Sequence, residues 1–217
     1  MKKIMFNDSY SLTKAVLEGR KTMTRRIIPP IEVDWNRRGK VTLPVSSFRS
    51  GVLFMDTGSI LNDLSEYFAP TKYQPKYKVG EVVAVAQSYE DVKDSCEDTR
   101  VSPLVAKAGY RNKMFVRADL MPHQLRITNV RVERLQDISD KEVYKEGFEK
   151  DTVNNGWGNY AHHWEAMLVY YDSIGRTREI RSPYPREAFA ALIDKVSGNG
   201  TWESNPWVFV YEFELVR

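Results

Sequence analysis

The chain has 217 residues, 42% hydrophobic and 28% charged, which excludes global disorder and leaves room for one domain with its own core. One cysteine (Cys96) and three histidines (His123, His162, His163) exclude a disulfide framework and a Cys/His zinc pattern, so no metal and no cofactor are expected. The basic start is followed by too short an apolar run for a signal peptide. The longest apolar run, Val82 to Ala86, is far too short to span a bilayer, so the expectation is a cytoplasmic protein with no membrane partner.

In chain order, residues 8–18 read as a short helix, capped by Asp8 or Ser9, with Leu12, Ala15 and Val16 on one face and Gly19 as its stop. Arg20 to Ile28, closed by Pro29-Pro30, reads as a turn leading into a strand. Residues 31–76 show weak periodicity and scattered Pro, Gly and Ser; they read as an insertion with one helix near 60–68. The turn Lys78 to Glu81 launches a strand at Val82–Gln87, and residues 88–112 read as loop. Met114–Arg117 is a short strand candidate, and 125–134 a longer one with Thr128, Val130 and Val132 on one face. Ser139 with Glu142 has the spacing of a capping box, starting a short helix that ends at Gly147.

Residues 148–181, Gly/Asn-rich and then aromatic, form a second insertion to which the pattern assigns no element. An amphipathic helix spans 186–196, with Phe189, Leu192, Ile193 and Val196 on one stripe, Pro185 near its start and Gly198 at its end. A strong strand from Trp207 to Leu215 closes the chain, apolar on both faces and so partly buried on both. The fold class is therefore α+β, a single domain over 1–217 with insertions at about 31–76 and 148–181. Short strands with few helices suit a small mixed barrel with helices at its ends.

Charge is unevenly placed. Residues 14–40 carry eight Lys/Arg against three acids, locally +5 in a chain of net charge +3, which suits a polyanion partner or a solvated basic face.

Gly19 to Arg26 fits the G-x-K-x-x-x-x-R signature of the ASCH family. Val79 to Val85 is similar to that family's glycine turn into a barrel strand, and Val130 to Ile138 to its strand-to-helix junction. The stretch Trp202 to Phe213 is similar to larger, phage-type members. The resemblance covers about half of the chain; residues 31–76 and 148–181 lie outside it. It implies a PUA-like barrel with a cleft beside the first helix, holding RNA or a modified nucleoside through Gly19, Arg20, Lys21, Arg25 and Arg26. Some small members are amidohydrolases acting on N4-acetylcytidine. Their Lys and Thr are spaced as Lys21 and Thr24 are, and their Glu carries onto Glu146.

The chemistry asks for particular groups. Amide hydrolysis needs a nucleophile, a base and a proton relay. Thr24, Lys21 and Glu146 would take these roles, provided desolvation or neighbouring cations lower the lysine pKa. In a straight strand Lys21 and Thr24 would face opposite ways, so the segment must turn there. Other readings stay open at this point. Lys21 reads equally as a surface lysine, Thr24 as a strand residue bonded to backbone, and Glu146 as a solvent-facing helix end. Trp157, Tyr160 and Trp164 are candidates for stacking on bases. Three functions follow: an RNA- or nucleoside-binding protein, an amidohydrolase of an acylated nucleoside, and a non-enzymatic phage-derived interaction protein.

Overall fold

The computed structural model describes residues 1–34, 39–58, 66–93, 108–150, 166–172 and 174–216. It opens with β1 (Lys3–Ile4), a 3-10 turn at Asp8–Tyr10, α1 (Leu12–Leu17) and β2 (Met23–Ile27). The start of α1 differs from expectation. Asn7 caps the 3-10 turn by accepting from Ser9 N–H, and Ser11 follows at φ 55° before α1 begins.

The first insertion also differs. Among the described residues, 31–76 hold five strands that the pattern had not assigned: β3 (Ile31–Asp34), β4 (Lys40–Leu43), β5 (Val45–Arg49), β6 (Val52–Asp56) and β7 (Glu66–Phe68). The signal was a short period-2 alternation, Val52 and Phe54 half-buried against Leu53 and Met55 buried, too brief to stand out from its polar surroundings. Residues 66–68, expected in a helix, pair with β6 instead, as the adjacent aromatics Tyr67 and Phe68 favour; 59–65 lie outside the described residues.

After β8 (Val82–Val85) and α2 (Tyr89–Val92), the segment expected as a strand at Met114–Arg117 is a 3-10 turn over Lys113–Phe115. Asn112 imposes it by accepting from Met114 N–H, and side-chain capping of this kind competes with a strand ladder. Then come β9 (Gln124–Arg134) and α3 (Asp140–Lys145), the latter with the expected Ser139/Glu142 capping box. The second insertion contains a hairpin, β10 (Ala166–Tyr171) with β11 (Thr177–Ser182), which the sequence pattern had not assigned. The chain ends with α4 (Pro185–Ser197), α5 (Thr201–Ser204) and β12 (Trp207–Leu215).

The main sheet has five strands in the order β1-β8-β9-β12-β2, antiparallel except for the β1/β8 pair. The class is α+β, but among the described residues no sheet closes into a barrel. β1 is only two residues long and leaves β2 as the opposite free edge.

β12 carries the core on both faces. Phe209, Tyr211 and Phe213 meet Phe48, Tyr77 and Phe6, with ring centroids 6.1, 5.3 and 5.6 Å apart. On the other face Val208 and Val210 lie in register with Ile27 and Arg25, under α3 and α4. There α4 buries Ala188, Phe189 and Leu192, and the two larger side chains contribute about 1.5–3 kcal/mol each. Among the described residues no helix is long and apolar enough to cross a membrane.

Candidate functional site

Gly19, at φ +74°, ends α1 in a conformation that glycine adopts without strain and reverses the chain. The backbone of Lys21 then donates to Ala15 O at 2.9 Å, and Thr22 N–H donates to Lys145 O at 2.9 Å. Lys21 is thereby laid beside Glu146, the residue just past α3, in an isolated antiparallel bridge. The strand proper begins only at Met23, two residues after the bridge at Lys21.

The two side chains are buried: Lys21 is 2% exposed and Glu146 3%. Lys21 Nζ donates to Glu146 O at 2.8 Å and to its carboxylate Oε2. Gly147, at φ +107°, makes the close approach possible. A Cβ there would stand 3.3 Å from Ala15 Cβ and 3.4 Å from Lys21 Cβ. Gly147→Ala is therefore expected to lower stability by about 1–2 kcal/mol from backbone strain, more if Lys21 is displaced. Thermal or urea denaturation would read this, and an unchanged midpoint would show that Gly147 is not needed for the approach.

Arg25 completes the pair. Its side chain is 1% exposed and reaches Glu133 at 2.6 Å, Glu142 at 3.1 Å and Glu146 at 3.1 Å. Arg131 joins Glu133 at 2.9 Å, Glu142, and Glu212 at 2.6 Å, and Lys145 reaches Glu212 at 3.2 Å. Spacings explain the gathering. Glu142 and Glu146 share a face of α3 at i, i+4, while Arg131 and Glu133 share a face of β9 at i, i+2. Burial works to raise the Glu142 carboxyl, but the Ser139 N–H, Arg25 and Arg131 outweigh it and hold the group below its usual range. The Lys21 ammonium goes the other way: burial pushes its pKa below 10.5, with smaller contributions from Arg26 and Arg25, and Glu146 offsets only part of this.

Lys21, Thr24 and Glu146 line one cavity of about 200 Å3, together with Arg25 and Arg26. The register puts Thr24 and Arg26 on the aromatic face of the sheet and Arg25 on the other. The cavity takes all three because it wraps the free edge of β2. Thr24 is 5% exposed and lines this cavity.

Arg26 is exposed, donates to Met5 O and lies 5.8 Å from the Phe6 ring centroid, without an acidic partner among the described residues. Arg20 is elsewhere. It pairs with Glu18 at 2.6 Å and Glu149 at 3.0 Å and lines a different cavity beside Lys14 and Tyr171. Trp157, Tyr160, Trp164, His162 and His163 lie outside the described residues.

The sequence reading missed the apolar wall of the cavity, Leu135, Phe189, Leu192, Ile193 and Val208, and Asn7 at its mouth. The wall residues carried only a core signal, and Asn7 lay in a segment read for its cap. Among the described residues no cluster of three or more His, Cys, Asp or Glu is placed to hold a metal ion. No family model, curated protein or solved structure matches this chain.

Proposed function

We propose that the chain is an ASCH-type hydrolase that takes a single acylated nucleoside, of the N4-acetylcytidine kind, into the cavity at Lys21, Thr24 and Glu146. The observation that carries this reading is Thr24 lining the same cavity as Lys21, a buried lysine of lowered pKa. The family resemblance rests on the sequence stretches Gly19 to Arg26, Val79 to Val85 and Val130 to Ile138. The PUA-like barrel of the family would here be an opened version of that sheet.

The chemistry follows from the donors. A neutral Lys21 amine has two N–H bonds, and Glu146 offers two acceptors, its carbonyl and its carboxylate. The amine lone pair is then left for the Thr24 proton. Thr24 Oγ1 bonds to the acyl carbon, Lys21 takes the proton, and the C–N bond breaks as that proton passes to the leaving amine. Glu146 holds Lys21 through the transfer. Water then attacks the threonyl ester: Lys21 takes the water's proton and returns it to Thr24 Oγ1 as the acyl–oxygen bond breaks, releasing acetate and restoring the hydroxyl. The apolar wall excludes bulk water, and the cavity volume suits one base rather than a strand. A nucleoside substrate and a chain with one cysteine both fit the cytoplasm.

The test is release of acetate from N4-acetylcytidine by the purified chain, followed across pH. The base must be unprotonated, so kcat/KM is expected to rise with pH along a limb set by Lys21. That limb lies below the ordinary lysine value of 10.5 because burial lowers it. A flat profile with turnover, or no turnover by the folded chain, would count against Lys21 as base.

A second reading, nucleoside or RNA binding without turnover, is favoured by Arg26, a cation at the cavity rim that no carboxylate neutralises among the described residues. Arg25 supports this reading less, since three carboxylates already hold its guanidinium.

A further inference from the structure

A second cavity, of about 280 Å3, adjoins the first and shares Arg26 and Ile27 with it. Consecutive residues divide between the two: Met5 lines the second and Phe6 the first. Arg26, bonded to Met5 O and set over the Phe6 ring, stands on the ridge between them. Part of the wall of the second cavity comes from the end of the first insertion and the residue after it, in the doubled pattern Lys72-Tyr73 and Lys76-Tyr77.

The character of this cavity is uniform. Arg26, Lys72 and Lys76 line it and no carboxylate does. All three are exposed, and none makes an ion pair among the described residues, whereas Lys21, Arg25, Arg131 and Lys145 are all paired. The Lys76 charge is felt nearby: the Lys3 pKa is lowered first by burial and then by Lys76.

The floor is fixed and aromatic. Tyr77 OH donates to Lys3 O at 2.8 Å, Tyr211 OH accepts from Lys76 N–H at 3.0 Å, and Tyr73 OH accepts from Glu32 N–H at 2.9 Å. Lys72 and Lys76 lie over the rings beside them, at 4.8 and 5.5 Å from the centroids. With no carboxylate in the lining, these ammonium groups have no acidic competitor within the cavity.

We infer that this cavity is a phosphate subsite, in which Arg26, Lys72 and Lys76 hold the phosphate of a nucleotide whose base occupies the neighbouring cavity at Thr24. It rests on the nucleoside reading of that first cavity and narrows its ligand from a nucleoside to a nucleotide, free or within an RNA strand. Phosphate recognition needs cations and donors and little else, and it carries no base specificity of its own.

The experiment titrates the full chain with cytidine, cytidine 5′-monophosphate and a single-stranded hexacytidylate, at low and moderate salt. The phosphate-bearing probes are expected to bind at least about tenfold more tightly than cytidine, with a gain that shrinks as salt rises. K72Q/K76Q, two surface changes, is expected to remove about tenfold of that gain while cytidine affinity and acetate release from N4-acetylcytidine stay unchanged. A gain already complete with the monophosphate identifies a free nucleotide; a gain seen only with the hexamer identifies a strand, and either supports the subsite. Equal binding of the three probes, no binding of any, or a folded K72Q/K76Q that binds the best probe as the parent does would overturn it. Loss of hexamer binding in K72Q/K76Q without acetate release by the parent would keep the subsite and remove the hydrolase. Acetate release with unaltered K72Q/K76Q binding would do the reverse.

Discussion

Thr24→Ala is expected to abolish acetate release from N4-acetylcytidine, with kcat lowered by about 10^3-fold or more, while the chain stays folded. Both halves follow from the same geometry. Lys21 Nζ already donates to the Glu146 carbonyl and carboxylate, so it keeps both of these partners when the hydroxyl is removed. The lost methyl costs about 1 kcal/mol. The backbone of residue 24 stays in register with Tyr211. Nucleoside affinity should change little, since the alanine variant keeps the apolar wall and Arg26. A folded variant that turns over normally would remove Thr24 as nucleophile and leave a water-attack mechanism with Lys21 as base. A variant that loses binding and turnover together would make Thr24 a recognition residue instead.

Glu146→Gln is expected to have the largest effect on stability, about 3–5 kcal/mol at neutral pH, because breaking a buried pair leaves an uncompensated charge behind. Two charges are affected: Lys21 loses its carboxylate and Arg25 one of three. Lysine has a way out that arginine lacks, which is to release its proton. In the parent, burial already places the Lys21 pKa below 10.5, and Glu146 is what opposes the fall. Without the carboxylate the folded value drops further. Between that value and 10.5 the unfolded chain holds more protons than the folded one, so stability rises with pH through the window and levels off above it. The deficit of the variant should therefore shrink on going from pH 7 to pH 10, read from urea midpoints. A loss under about 1 kcal/mol would mean that the pair is not buried as described.

Much of the site was legible in the sequence, for a local reason. Gly19, Lys21, Thr24 and Arg26 lie within eight residues, and the glycine turn that sets Lys21 apart from the strand is itself a sequence signal. Glu146 was reachable because the capping box at Ser139 fixes where α3 starts and so where its last turn falls. What could not be read was the company these residues keep. Arg25 meets Glu133, Glu142 and Glu146 across separations of 108, 117 and 121 residues, and no local pattern encodes such pairs. Arg25 therefore read as a phosphate contact, although its guanidinium is held inside.

The fold divides in the same way. Long elements with a clear period, β9, α4 and β12, were visible. The five strands of the first insertion, three to five residues each, gave too few periods to register. The open sheet was hidden because closure depends on how two distant edges meet, not on any one strand.

The ionic group around Arg25 has a consequence for how relatives of this chain can diverge. Lys21, Arg25, Arg131 and Lys145 face Glu133, Glu142, Glu146 and Glu212, four of each sign, sharing partners in a closed set. A lone change at Lys21, Arg25 or Glu146, the buried members, strands a charge, so changes there should arrive in compensated pairs, acid with base. The eight positions form a fingerprint that a distant homologue would keep or exchange as a unit, even where the signature around Lys21 has faded beyond recognition.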